Sequence, residues 1–247
     1  MSSERLWPGG PFFVDGQYAK LTSDSILLAD FAAVSEERLK SSRHRNGIDL
    51  GCGSGILCLL LLERFPNLSM TGLEIRPDAA ALAGENLKKN GLENRSIICP
   101  GDLRETVKSF PAGSFDFVIS NPPYYIQGDS ADGLASPYEE RAVARGELSC
   151  SLEDLCRAAG RLCRSGGKLY LCYKPDRVAE LFETLRQYRF EPKKIRTVHH
   201  RTSSRASLLL MEAGRDGRPG LTIEAPLLLH EESGAETEEY RKIFHRQ

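Results

Sequence analysis

An asparagine, two prolines and two tyrosines directly follow the apolar segment "FDFVIS", in the stretch "SNPPYY". The side chain of Asn121 and the backbone of Pro122 each offer a carbonyl acceptor, and proline fixes φ and has no N–H of its own. Tyr124 adds a flat face on which a planar group can stack. A proline-rich turn that merely ends a strand would use the same residues. As a site, the segment suits a flat ligand.

Three glycines, Gly51, Gly53 and Gly55, separate the strand-like segment "GIDL" from a helical pattern that begins at Ile56. Glycines in this place let the backbone come close to a ligand beneath the electropositive end of the helix. A dinucleotide-binding fingerprint would have its third glycine one place later, where Ile56 stands. A tight strand-to-helix turn remains the alternative explanation for the glycines.

Acidic residues accompany successive predicted strands. Asp49 lies just before the glycines, Glu74 ends the second strand, and Asp102 follows the third in "PGDL". Each one alone could be a solvated loop charge. Because parallel strands end at one edge of a sheet, and open α/β sheets bind ligands at that edge, the three acids together predict a single polar site.

The elements that must position these residues alternate regularly from Asn46 onward. Such alternation predicts right-handed βαβ units and a parallel, doubly wound α/β sheet. We expect strands at 47–50, 69–75, 96–100, 115–120 and 166–173, and helices at 56–64, 77–90, 151–163 (capped by Ser151) and 175–188. The strand-like segments 195–200, 206–213 and 221–229 have only short links between them, which predicts an antiparallel C-terminal edge.

The whole chain, residues 1–247, is expected to form one domain. Residues 1–45 would be an N-terminal extension that contains an apolar helix at Ser25–Val34, and residues 46–247 would be the core. Residues 126–147 form a long polar stretch directly after the asparagine–proline segment. Loops of this length within a compact domain are usually lids, binding loops or disordered segments.

Composition limits the protein class only loosely. The chain has 247 residues, 40% hydrophobic and 27% charged, with a net charge of −1, which neither supports nor excludes a polyanionic partner. The seven cysteines include no C-x-x-C pair, which favours reduced thiols over a metal site or disulfides. The apolar runs are too short to span a membrane, and "MSSERLWPGG" lacks the core of a signal peptide. We expect a cytoplasmic protein without a metal.

The G-x-G-x-G spacing behind Asp49 resembles motif I of the class I S-adenosylmethionine-dependent methyltransferases, and Asn121–Tyr124 resembles motif IV of the amino-methyltransferases. The resemblance implies a Rossmann-like fold. It also implies that Glu74 accepts from both ribose hydroxyls and Asp102 from the adenine amino group. The expected cofactor-binding residues are Thr22, Asp24, Asp49, Gly51, Gly53, Gly55, Glu74, Ile75, Asp102, Leu103 and Asn121.

Motif IV implies a particular chemistry. An exocyclic amine or an amide nitrogen is a poor nucleophile because its lone pair is delocalised. The carbonyls of Asn121 and Pro122 would accept its two N–H groups. These contacts would stabilise the positive charge that develops on the nitrogen and point its lone pair at the methyl group. Pro123 would help to hold the backbone carbonyl and Tyr124 would stack the flat group. The motif leaves three families open, with adenine N6, guanine N2 or protein-glutamine N5 as the methylated atom.

Other segments narrow the resemblance to the bacterial tRNA1(Val) adenine-37 N6-methyltransferase family, nearly end to end. They are "KLTSDSILLADF", "DLGCGSGILCLLL", "GLEI", "SNPPYY", "AVARGELSCSLEDL", "RASLLLMEAGRDGRPGLTIEAPLLLH" and "TEEYRKIF". Glutamine methyltransferases typically carry a separate N-terminal helical domain, for which the residues before the first strand are too few. The resemblance implies methylation of an adenine in the anticodon loop of tRNA(Val), which is unstacked more cheaply than one in a duplex.

Basic residues are the second indication of RNA. They crowd the stretch from Lys193 to Arg205, and Arg141 and Arg145 lie in the loop after motif IV. A solvated charged surface would also explain them. If they are functional, they would neutralise phosphates around a structured RNA loop. The expected substrate-binding residues are Tyr124, Tyr125, Arg141, Arg145, Arg201 and Arg205.

Overall fold

A computed structural model of the protein describes residues 4–15, 21–35, 43–106, 110–122 and 150–246. Its strands are β1 (Glu4–Arg5), β2 (Phe12–Phe13), β3 (Arg45–Leu50), β4 (Leu68–Glu74), β5 (Ser96–Pro100), β6 (Phe115–Ser120), β7 (Cys163–Tyr173), β8 (Phe190–His199), β9 (Ala206–Arg215), β10 (Thr222–Ile223) and β11 (Leu227–Leu228). Its α-helices are α1 (Ser23–Ser35), α2 (Ile56–Arg64), α3 (Pro77–Lys89), α4 (Leu152–Leu162), α5 (Val178–Gln187) and α6 (Glu238–Ile243).

The central sheet has the order β5-β4-β3-β6-β7-β9-β8, with β10 and β11 both paired to β8. All pairs from β5 to β7 are parallel, as the alternating strands and helices predicted. β9 runs antiparallel to both β7 and β8, which confirms antiparallel pairing in the C-terminal part of the sheet. Because β9 reverses direction between them, β8 points the same way as β7.

The segment 221–229 forms two short strands rather than one. Residues 224–226 separate them, and both pair in parallel with β8, so the predicted antiparallel pairing is wrong for this segment. The short link after β9 leads past the start of β8 to its other side, so β10 is not a neighbour of β9. Pro226 has no N–H to donate to a sheet ladder, so the segment cannot continue as a regular strand through that position.

Helices cover both faces of the sheet, which confirms the doubly wound architecture. One buried cluster joins α1, α2 and α3 with Tyr240 of α6, and the other joins α4 and α5 to the opposite face. All six residues of β6 are buried, as expected for a central parallel strand covered on both sides. The strand that carries Asn121 at its end is therefore held rigidly.

Local signals set the helix boundaries. The hydroxyl of Ser151 accepts from the backbone N–H of Asp154, and the Asp154 carboxylate accepts from the backbone of Ser151, so α4 begins with a capping box. α3 has Pro77 in its first turn, and Gly91, just beyond its end, has φ +68°. The predicted cap at Ser151 and the predicted stop near Gly91 are both confirmed.

The N-terminal residues pack across the helices. β1 and β2 form a small antiparallel pair. Asn90, directly after α3, accepts from the N–H of Phe12 at 2.8 Å and donates to its carbonyl at 2.7 Å. Trp7 stacks on His245, with ring centroids 4.1 Å apart. The N-terminal segment is thus fastened both to α3 and to the residues that follow α6.

Of the helices in the described ranges, none has both the length and the apolar character needed to cross a bilayer. All seven cysteines are free thiols. Within the same ranges no group of three His, Cys, Asp or Glu side chains is arranged to hold a metal ion.

Candidate active site

The predicted site lies where the strand order of the sheet reverses. β3 has β4 on one side and β6 on the other, and Asp49 pairs with Ile119 across the β3–β6 ladder. Gly51 and Asn121 each stand two residues beyond that pair, so they leave the same edge of the sheet side by side. This is the switch point at which open α/β sheets bind their ligands.

The glycine loop after β3 requires glycine at each predicted position. Gly51, Gly53 and Gly55 have φ of +78°, +54° and +83°, in the left-handed region that side chains disfavour. A Cβ at Gly55 would come 3.0 Å from the Cβ of Ala83 in α3, whereas a Cβ at Gly51 would meet nothing within 4 Å. Gly55 therefore permits close helix packing, and Gly51 faces open space.

Glu74 links the second strand to this loop. It is buried at the end of β4, where one carboxylate oxygen accepts from the N–H of Gly53 at 2.9 Å and the other from the N–H of Arg76 at 3.0 Å. The carboxylate is thereby fixed in direction and holds the glycine loop against the next strand. Its remaining lone pairs can accept from a ligand.

Asp49 is a fully buried acid beneath the loop. The thiol of Cys58 approaches one carboxylate oxygen at 3.9 Å, and the other has no hydrogen-bond partner in the part of the chain that the structure describes. Burial, reinforced by the charge of Glu74, raises the pKa of Asp49 to about 8. An unused acceptor of this kind fits a ligand that carries positive charge.

A cleft at this edge brings together five of the eleven predicted cofactor residues: Gly51, Glu74, Ile75, Asp102 and Leu103. It is lined by Leu50, Gly51, Leu73, Glu74, Ile75, Gly101, Asp102, Leu103, Arg104, Ser120, Pro122, Cys150 and Leu155. Seven lining residues were not predicted from the sequence: Leu50, Leu73, Gly101, Arg104, Ser120, Cys150 and Leu155. Leu155 lies on the apolar stripe of α4, and Ser120 directly precedes Asn121, so both could have been found from the pattern.

Asp102, predicted to accept from the adenine amino group, lines the cleft and is bonded to a neighbouring arginine. Its carboxylate accepts from the backbone N–H of Arg104 at 2.9 Å and from the Nε of the same guanidinium at 2.8 Å. These contacts lower the pKa of Asp102, chiefly through the hydrogen bond from Arg104. Arg104 stands two residues further along a short 3₁₀ turn, so its side chain reaches back to the acid. Any further donor must share the carboxylate with Arg104.

Asn121 contacts two separate parts of the chain. Its Nδ2 donates to Ser25 Oγ at 2.9 Å and lies 3.4 Å from Thr22 Oγ1, and its Oδ1 accepts from the Cys172 thiol at 3.0 Å. Thr22 therefore lies beside Asn121. The Asp24 carboxylate accepts from the Ser23 hydroxyl at 3.2 Å, and desolvation raises the pKa of Asp24.

Of the predicted substrate-binding residues, only Arg201 and Arg205 belong to the part of the chain that the structure describes. Pro123, Tyr124, Tyr125, Arg141, Arg145 and the loop 126–147 lie outside the described residues. Arg201 and Arg205 are exposed on the turn between β8 and β9. Because β8 runs parallel to β7, that turn projects from the same edge as Asn121.

Most other basic residues of this stretch have structural partners. Lys194 pairs with Glu224 at 3.2 Å, and Arg196 forms a two-pronged pair with Glu239 at 2.8 Å for each contact. Across the described ranges, neither the Arg201 nor the Arg205 guanidinium has a hydrogen bond or an ion pair. The free positive charge of the stretch is thus concentrated on the turn.

The residues at the cleft fit S-adenosylmethionine. Ile75 and Leu103 supply apolar surface for a flat ring, Glu74 supplies a fixed carboxylate, and Gly51 leaves space that a Cβ would take. The unpartnered oxygen of Asp49 suits a cationic group nearby. The fold and the glycine loop at its switch point define a class I S-adenosylmethionine-dependent methyltransferase.

The comparisons agree with this class. The family model of the methyltransferase small domain matches residues 30–148. A tRNA1(Val) (adenine(37)-N6)-methyltransferase of Porphyromonas gingivalis is 30% identical over 191 residues, which cover 75% of this chain and 72% of the relative. The chain belongs to the family of the tRNA1(Val) (adenine(37)-N6)-methyltransferases, as its motifs predicted.

Solved structures show the same fold. A protein of Agrobacterium tumefaciens described as a predicted O-methyltransferase has a TM-score of 0.69 and 26% identity, covering 90% of this chain and 95% of its own. Geranyl diphosphate C-methyltransferase of Streptomyces coelicolor, in complex with S-adenosyl-L-homocysteine, has a TM-score of 0.52 and 12% identity, over 75% of this chain and 76% of its own.

Proposed function

We propose that this protein transfers the methyl group of S-adenosylmethionine to the exocyclic N6 of an adenine in tRNA, at position 37 in the anticodon loop of tRNA(Val). The observation that carries the proposal is the fixed carboxamide of Asn121 beside the glycine loop. Family membership supports the same reaction, because the relatives carry that activity in their names.

The cofactor would lie in the cleft between β4 and β6. Gly51 and Gly53 would let the methionine part of the cofactor approach the backbone, and Gly55 would keep the loop close to α3. The positive charge of the cofactor would favour the ionised form of Asp49. Glu74 would accept from the ribose, Ile75 and Leu103 would enclose the adenine ring, and Asp102 would share its carboxylate between Arg104 and the adenine amino group. Thr22 and Asp24, at the start of α1, would close the methionine end. When bound, S-adenosylmethionine supplies a methyl group activated on a sulfonium sulfur.

The chain's own residues orient the amine. Asn121 Oδ1 and the Pro122 carbonyl would accept the two N–H groups of the target adenine, so that the nitrogen lone pair points away from them toward the methyl group. Both acceptors also stabilise the charge that grows on nitrogen as the bond forms. Pro123 would hold the backbone carbonyl and Tyr124 would stack on the base. Once alkylated, the nitrogen is acidic enough to lose its proton to water.

The RNA would be held by charge at the same edge. Arg201 and Arg205 project there, and Arg141, Arg145 and Tyr125 belong to the segment after motif IV. Contacts to phosphates position the RNA without reading its sequence. Residues 1–45 would act as an extension that covers the cofactor, within one domain. A protein that methylates tRNA would act in the cytoplasm. The seven free thiols agree with this, because the cytoplasm keeps cysteines reduced.

The test is mass spectrometry of nucleosides from unmodified tRNA that has been incubated with the protein and S-adenosylmethionine. We expect N6-methyladenosine at one position of one anticodon loop. Asn121→Ala should keep cofactor binding, measured by calorimetry, and lose methyl transfer. Asn94→Ala, at an exposed asparagine remote from the cleft, is the control and should keep both. Methylation of a release factor but not of tRNA would overturn the substrate claim.

A further inference from the structure

The carboxamide of Asn121 is held at both of its ends. On the amino side, Ser25 Oγ lies 2.9 Å and Thr22 Oγ1 3.4 Å from Nδ2. On the carbonyl side, the Cys172 thiol donates to Oδ1 at 3.0 Å. Thr22 Oγ1 and Ser25 Oγ are themselves 3.3 Å apart, so the two hydroxyls form one polar pair. The rotation of the side chain about its last bond is thus fixed by groups of the protein itself.

The partners come from rigid and distant parts of the fold. Cys172 is fully buried in β7, the strand next to β6. Ser25 is 6% exposed in the first turn of α1, and α1 packs against α2, β7 and β9. Since neither partner belongs to the cofactor cleft, the grip on Asn121 exists before any ligand binds. Preorganised acceptors of this kind cost no reorganisation at the moment of reaction.

The partners also determine which end of the amide faces which way. A hydroxyl oxygen accepts well from an amide N–H, whereas a thiol sulfur is a weak acceptor and its S–H is a weak donor. If the carboxamide were flipped, its N–H groups would point at the sulfur of Cys172, a poor acceptor in a buried place. The observed orientation keeps Oδ1 as the acceptor, and an amide oxygen has a second lone pair for an amine.

We propose that Cys172 and Ser25 are positioning residues, which set the rotation and the polarity of the Asn121 carboxamide so that Oδ1 receives the N–H of the target amine. Thr22 extends the hydroxyl pair toward solvent. The inference rests on the proposed function for the role of Asn121, but the grip itself can be measured without any substrate.

The first test separates chemistry from binding. Cys172→Ala and Ser25→Ala should each lower kcat by roughly five- to tenfold, the value of about one orienting hydrogen bond. The KM for tRNA and the affinity for S-adenosylmethionine should change less than twofold. Cys172→Ser keeps a donor and should recover most of the rate. Cys156→Ala removes an equally buried thiol from α4 and is the matched control, with kcat unchanged.

The second test needs no activity. In protein labelled with ¹⁵N at asparagine, the side-chain N–H signals of Asn121 are identified by their loss in Asn121→Ala. Hydrogen exchange of these signals should be slow in the wild type and in Cys156→Ala, and at least fivefold faster in Ser25→Ala. The double variant Ser25→Ala/Cys172→Ala should exchange fastest.

The two tests have distinguishable failures. If the wild type methylates no tRNA, the proposed function fails. The exchange rates still show whether Ser25 and Cys172 hold the side chain of Asn121 in place. If kcat and the exchange rates are the same in Ser25→Ala, Cys172→Ala and the wild type, the positioning role is overturned. A loss of rate that Cys172→Ser does not restore and Cys156→Ala reproduces would also overturn it, because packing alone would then explain the effect.

Discussion

The side chain of Asn86 binds both backbone polar groups of Val14, accepting from its N–H at 2.9 Å and donating to its carbonyl at 3.0 Å. The second hydrogen of the same amide goes to the carbonyl of Ser54, in the glycine loop, also at 3.0 Å. Asn86 is fully buried in α3. One side chain therefore ties the N-terminal segment to the loop that forms the floor of the cleft.

Replacement of Asn86 by alanine should destabilise the fold by about 2–4 kcal/mol, because it leaves three buried backbone groups without their partner. The affinity for S-adenosylmethionine should fall as well, since Ser54 belongs to the glycine loop. Urea denaturation measures the first effect and calorimetry the second. Asn94→Ala, on the surface, is the control. An Asn86→Ala protein as stable as Asn94→Ala would refute the structural importance of this amide.

Replacement of Gly51 by alanine should abolish cofactor binding while the protein stays folded. The new Cβ meets no atom of the protein, so the backbone strain of φ +78° is the main cost, about 1–2 kcal/mol. Gly91→Ala is a close control, because Gly91 also has open space and φ +68° but lies beyond α3. Both variants should lose similar stability, and only Gly51→Ala should lose the ligand in calorimetry. Equal binding by both would remove Gly51 from the site.

The pH dependence of stability should report on Asp49. Its pKa is raised from an ordinary 3.8 to about 8, so between these values the folded state keeps a proton that the unfolded state has lost. The contribution of Asp49 to stability should therefore fall as the pH rises from about 4 to about 8 and then level off. Asp49→Asn removes this decline.

The measurement for Asp49 is urea denaturation at several pH values between 5 and 8, without ligand. The stability of Asp49→Asn relative to wild type should increase steadily across this range. Asp176→Asn, at an exposed carboxylate, should run parallel to the wild type. A constant difference between Asp49→Asn and the wild type would mean that Asp49 is already ionised at pH 5.

The sequence predicts the elements of this fold better than their long-range contacts. "SIICP" and "FDFVIS" form strands at the predicted residues, and Ser151 caps α4, because alternation and capping are local signals. The insertion of β9 between β7 and β8 depends on pairing between distant segments, which no local pattern specifies. The roles of Asn86 and Cys172 were not predicted for the same reason. Their partners lie far away in the sequence, and only the fold shows which segments come next to them.

Removal of the two unpaired arginines of the β8–β9 turn should weaken tRNA binding. We expect Arg201→Ala/Arg205→Ala to lower the affinity and to reduce the slope of log affinity against log salt by about two, one for each lost phosphate contact. Arg218→Ala is the control, because Arg218 is exposed but lies after β9, at the opposite edge of the sheet. Filter binding at several salt concentrations measures both slopes. Equal slopes in the two variants would exclude the turn from the RNA-binding surface.

The stack of Trp7 on His245 has a practical consequence. Trp7 is the single tryptophan of the chain, so its fluorescence comes from one known place in the fold. The emission will change when the ring leaves His245 and enters water. Tryptophan fluorescence therefore reports whether the N-terminal segment is docked. Tryptophan fluorescence recorded while cofactor is added can then show, without an attached dye, whether that segment leaves its place.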